Sequence, residues 1–153
     1  MNKLKAIAGC VLFFIFCIQA AAQTSPVPVN EPDYNKPKIF NDLPNTMTIR
    51  LMDAEKLFGL RAGSSSSVQF TDELFLKGTV ISNGESNGMR TIIMKVTNRN
   101  NAVFTFTRIT QQDGTTSYAG RIMSRENGDA LLIKKEDNAF TLNKINLYDL
   151  ISE

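Results

Sequence analysis

The sequence contains no histidine and no tryptophan, and its two cysteines are Cys10 and Cys17. Without imidazole there is no Ser-His-Asp triad, no Cys-His pair and no histidine metal ligand. Both cysteines fall within the first 22 residues. The chain beyond them has no thiolate nucleophile, no cysteine zinc site and no disulfide. Glycine-rich phosphate loops, dinucleotide fingerprints and calcium loops are also missing. Proline stops at Pro44, and all five prolines lie between Pro26 and Pro44. Charge of one sign is missing too: without Lys3 and Lys5, 15 basic residues face 15 acidic ones. A neutral body lacks the concentrated positive field that grips phosphate backbones, so nucleic acid is not an expected partner.

The absences leave carboxylate pairs, Ser-Lys or Tyr-Arg arrangements as routes to catalysis. Asp72-Glu73 precedes a strand, where neighbours point to opposite faces and cannot share a substrate. Glu136-Asp137 follows Lys134-Lys135 in a hairpin and reads as a solvated charge cluster. No residue is assigned a catalytic role, no cofactor is implied, and the protein is expected to hold no metal of its own. Phe104 and Phe106 beside Arg108 could form a stacking platform for bases. Their periodicity reads more simply as core.

What is present begins with "MNKLKAIAGCVLFFIFCIQAAA", residues 1–22. Lys3 and Lys5, an apolar run from Ala6 to Ile18 and the exit Ala20-Ala21-Ala22 describe a secretory signal peptide. The apolar run is too short for the ~20 residues of a spanning helix. "IAGC", ending at Cys10, is lipobox-like, but its apolar region follows the cysteine instead of preceding it. Secretion to the periplasm, cell surface or medium is therefore expected, with no membrane span after cleavage and a monomer when free.

Residues 23–45 form a proline-rich arm. Proline fixes φ and pushes the preceding residue toward extended geometry, so the segment is predicted as a stretched spacer or a preformed ligand. Residues 46–153 form the domain. "MTIRLMDAEKLFGLRAG", Met47 to Gly63, fits a helix through Leu51, Ala54, Leu57 and Phe58, and also a strand through Met47, Ile49 and Leu51. "AGSSSS", Ala62 to Ser67, reads as a flexible loop.

From Val68 onward, runs rich in Val, Ile, Thr, Phe and Tyr lie between Asn/Gly/Asp turns. Leu74, Leu76 and Val80 share a side, as do Ile92, Met94 and Val96. Tyr118, Gly120 and Ile122 form another set, with Leu131 and Ile133, then Phe140 and Leu142. The fold class is all-β: an antiparallel meander closing into a small barrel or sandwich, with room for one short helix. Asn127-Gly128 is the strongest hairpin signal, because Asn-Gly accepts positive φ. Two polar hairpin tips are candidate contact loops: "SNGESNG", with Asn83, Gly84 and Glu85, and "TQQDGTT", with Asp113 and Gly114. The C-terminal "NLYDLISE" fits a last strand or a helical turn.

The stretch from about Phe75 to Glu153 resembles the β-rich pro-segments of bacterial secreted metallopeptidases and the small stand-alone proteins that inhibit such enzymes. The similarity rests on Gly78-x-Val80, Tyr118-x-Gly120-x-Ile122 and Phe140-x-Leu142. Residues 75–153 contain no peptidase domain of their own, and none is expected after them. The resemblance implies a non-enzymatic protein that acts in trans on a secreted peptidase, presenting an extended terminus or loop along its cleft. In the arm's "EPDYN", Asp33 or Glu31 would then offer a carboxylate to the enzyme's metal, with Tyr34 as an aromatic anchor. The other readings are a cell-envelope assembly module and a carrier of a small apolar ligand.

Overall fold

The computed structural model describes residues 35–150. Residues 1–22, read from the sequence as a signal peptide, and Glu31, Asp33 and Tyr34 lie outside them. The fold is mostly antiparallel β. Eight strands run β1 (Thr46–Thr48), β2 (Ser65–Gln69), β3 (Phe75–Ser86), β4 (Met89–Val96), β5 (Val103–Thr110), β6 (Thr116–Met123), β7 (Asp129–Glu136) and β8 (Ala139–Asn146). They form one sheet in the order β1-β8-β7-β6-β5-β4-β3-β2, curled into a half-barrel. Strands β2 to β8 are a plain meander, and β1 joins the far edge by pairing Met47 with Leu142. Between the two edge strands, Leu51–Glu55 is a helix, α1, continued by a 3-10 turn, Lys56–Gly59. Ala54, Leu57 and Phe58 face inward there. Met47–Gly63 is thus strand, helix and turn in succession. One backbone bond, Arg50 N–H to Phe70 C=O at 2.8 Å, ties the end of β1 to the end of β2.

The concave side is filled by side chains at alternate positions, as the pleat requires. Leu76, Val80, Ile92, Met94, Val96, Phe104, Phe106, Ile122, Leu131 and Leu142 are buried. Phenylalanine rings dominate: Phe106 stacks on Phe58 at 5.0 Å and on Tyr118 at 5.6 Å, and Phe70 meets Phe104 edge-on at 4.9 Å. Such pairs add ~0.5–1.5 kcal/mol each beyond their buried area. Phe104 and Phe106 are therefore core, with no face free for a base.

Four sequence expectations change. Residues 36–45 do not stand off as a spacer, because Phe40 and Leu43 are buried in the core. Asp129, itself buried, accepts the N–H groups of Ile39 and Phe40, one on each carboxylate oxygen at 2.9 Å. Asn127-Gly128 makes no positive-φ turn. Instead Gly128 N–H and Asn127 Nδ2 both donate to Pro37 C=O, and a Cβ on Gly128 would come within 3.1 Å of Lys36 C=O. The glycine makes room for a neighbouring chain.

The serine run is partly strand. Arg61 to Ser64 closes a turn through Gly63 at φ +84°, and Val80 N–H bonds Ser64 C=O, which starts the β2 ladder. Finally, "SNGESNG" is not a loop. Asn83, Gly84 and Glu85 pair with Ile92, Thr91 and Arg90, and only Asn87-Gly88, at φ +50° and +73°, turns the chain. The cause is a bulge between Val80 and Ser82, which shifts the pleat by one residue and brings Asn83 to the inner face. The C-terminal run is a 3-10 turn, Leu147–Leu150, that buries Leu147.

Candidate functional site

The open end of the half-barrel is where polar side chains converge. Asn83 Nδ2 donates to the carbonyls of Phe58 and Leu60, at 2.9 and 2.7 Å, and Arg90 donates to Phe58 C=O at 2.6 Å. These carbonyls end the 3-10 turn and have no partner within it, so the two side chains satisfy them and latch the plug, meaning α1 and its 3-10 continuation, to the sheet. Asn83 is therefore committed internally. Gly84 and Glu85 remain at the surface, with Glu85 3.9 Å from Arg90. Asp113 and Gly114 lie in the β5–β6 turn as expected, Gly114 at φ +83°. There the Thr115 hydroxyl and amide hold the Asp113 carboxyl below the usual carboxylate range, so this tip is tied to itself.

Beside the latch, the Tyr118 hydroxyl donates to Glu55 at 2.5 Å, Arg108 lies 3.6 Å from the same carboxylate, and its guanidinium sits over Phe58 at 5.3 Å. This is the Tyr-Arg arrangement left open by the sequence. Burial, and then the bond to Glu55 and its charge, push the Tyr118 hydroxyl up to about 12, while Arg108 pulls the other way. The phenol keeps its proton and clips α1 to β6.

A raised folded value means that unfolded chains ionise first. Stability from this group is whole below about pH 10 and is lost as pH climbs toward 12. Ultraviolet titration should show a late transition for Tyr118 that Glu55→Gln shifts to lower pH. Unchanged titration in that variant would contradict the clip.

The remaining feature is β2, the last strand of the sheet order. Val80 N–H bonds Ser64 C=O and Phe70 N–H bonds Leu74 C=O, so positions 64, 66, 68 and 70 face β3. Ser65, Ser67 and Gln69 consequently aim their N–H and C=O groups away from the sheet. A depression of about 240 Å³ lies between β2 and the plug, lined by Asp53, Lys56, Leu57, Leu60 and Ser66 to Gln69. A second, of about 450 Å³, lies against the outer face, lined by Ser65, Ser66, Ser67, Lys77, Gly78, Thr79 and Thr97. In the first, Asp53 is held by Lys56 at 2.7 Å and Arg50 at 3.0 Å, and the Lys56 bond chiefly keeps its carboxyl below the usual range.

Sequence reasoning missed both β2 and the latch. The alternation of Val68 and Phe70 with Gln69 and Thr71 was the available signal for β2. Nothing local signals the latch, which depends on the bulge. Among the described residues, no three His, Cys, Asp or Glu side chains come together to hold a metal ion. No helix there is long and apolar enough to cross a membrane. In comparisons with protein-family models, curated proteins and solved structures, nothing matches the chain.

Proposed function

We propose that the protein is a secreted, non-enzymatic binding module that inhibits a secreted metallopeptidase. The observation that supports this reading is the anchored base of the proline-rich arm. Asp129, Asn127 and Gly128 bind residues 37–40, Lys144 donates to Leu43 C=O at 2.6 Å, and Arg99 grips Asp42 at 2.8 Å. An extended inhibitory segment gains affinity when its base is fixed, because less freedom is lost on entering a cleft. Glu31, Asp33 and Tyr34 stand a few residues before that base. In this reading a carboxylate from Asp33 or Glu31 meets the enzyme's metal and Tyr34 fills an adjoining pocket. The concave interior is filled by phenylalanine rings, so the carrier reading has no observation in its favour.

The test mixes the protein from residue 23 onward with secreted metallopeptidases and follows substrate cleavage. Combined Glu31→Gln, Asp33→Asn and Tyr34→Ala substitution should weaken inhibition by a factor of about 30 or more, with melting unchanged. Absence of inhibition throughout, or inhibition indifferent to these substitutions, defeats the reading.

A further inference from the structure

We propose that the free edge of β2 is a second binding surface, independent of the arm, which takes an extended segment of another protein as a ninth strand. The occupant alternates apolar residues with acidic or hydroxyl ones. Three observations lead there. First, among the described residues nothing pairs with the outward N–H and C=O groups of Ser65, Ser67 and Gln69, the pattern that an extended main chain completes. Second, this edge lacks the usual protection. Proteins blunt exposed edges with charge, proline or brevity. The opposite edge, β1, is three residues long and β2 is five, and the run from Ser64 to Phe70 contains neither charge nor proline.

Third, the edge is flanked on both faces. Side chains of an added strand point alternately to one face and the other. Those on the inner side meet the depression lined by Leu57, Leu60 and Val68 together with the Asp53–Lys56 ion pair. The paired charges neutralise each other and leave the aliphatic wall to receive aliphatic groups. Those on the outer side meet Ser65, Ser67, Thr79 and Lys77. Ser67 is the register partner of Lys77 and is small enough for the lysine to reach across it. That ammonium selects carboxylate or hydroxyl side chains on the incoming segment by charge complementarity.

The probes are synthetic seven-residue peptides alternating valine with glutamate, threonine or lysine, followed by fluorescence anisotropy. Glutamate and threonine peptides should bind, with the lysine peptide at least 10-fold weaker. Lys77→Glu should reverse the order of glutamate and lysine. Backbone N-methylation at the residues facing the edge should abolish binding, while methylation at the alternate residues should spare it. This parity is tested on the ligand and does not depend on a variant folding.

On the protein, Ser67→Pro removes an outward N–H and should abolish binding. Hydrogen exchange at Ser65, Ser67 and Gln69 should slow only when peptide is present. Binding insensitive to methylation parity, or no binding by any peptide, overturns the proposal. So does a concentration-dependent dimer lost in Ser67→Pro, which would make the occupant a second copy of this chain. None of these readouts involves a peptidase, so they stand or fall separately from the inhibitory role of the arm.

Discussion

Alanine at Gly120 is expected to destabilise the native sheet severely, and alanine at Gly78 to do the same. A Cβ on Gly120 would lie 2.3 Å from Thr105 C=O and 2.9 Å from Ile133 Cδ1. On Gly78 it would lie 2.1 Å from Lys95 C=O. The close atoms are mainly backbone, which cannot swing aside as a flexible side chain does. Both glycines occupy inward positions, Gly78 opposite Val96 and Gly120 opposite Phe106. They are where the strands fold over their neighbours to curl the sheet, a use of glycine that a side chain defeats. Overpacking typically costs ~1–3 kcal/mol and more where backbone must move. A loss of about 3 kcal/mol corresponds to a melting temperature lower by more than about 10 °C in a domain of this size.

Gly84 supplies the control. It lies in the same sheet, and an added Cβ there meets nothing within 4 Å. Gly84→Ala should melt within a few degrees of the parent. Circular dichroism melts of the three variants decide the matter, and comparable melting of all three would refute this account of the curl.

The second large effect is expected at Phe40. Phe40→Ala should destabilise the domain by ~3–5 kcal/mol, the range for emptying a fully enclosed phenylalanine site. Asp129→Ala should also destabilise it, because it strips the Ile39 and Phe40 amides of a charged acceptor inside the protein. A chain starting at Asp33 retains every contact described above and should unfold at the same urea concentration as one starting at residue 23. A chain starting at residue 46 loses Phe40, Leu43 and the Asp129 bonds together, and should not fold cooperatively. If that chain unfolds like the parent, the arm's base is ornament on the domain and not part of it.

The order of β3 to β8 and their inward residues could be read from local alternation, since each of those hairpins is a short-range pattern, whereas β1 beside β8 and β2 at the other edge could not. Leu74, Leu76, Ile92, Met94, Phe104, Phe106 and Ile122 all follow that rule. What escaped the reading depends on distant partners. Asn127-Gly128 looks like a hairpin by itself, and only Lys36 and Pro37, some 90 residues earlier, explain its different geometry. The proline-rich run looks like a spacer, because nothing within it reveals that Asp129 will receive its amides. Asn83 looks like a loop residue until the bulge at Ile81 turns it toward Phe58 and Leu60. Serines looked too polar to pair. On an edge strand, half of them need bury nothing.

The same long spans govern how the chain reaches its native state. The hairpins from β2 to β8 close between neighbours, but β1 pairs with β8, and Lys144 bonds Phe40 across 104 residues. Loop closure over such a span is entropically dear and slow. Synthesis delivers Phe40, Met47 and Ile49 early and their sheltering hairpin last. A nascent chain therefore carries its stickiest residues uncovered for most of its length, and lasting protection against misassociation arrives only with the final strand.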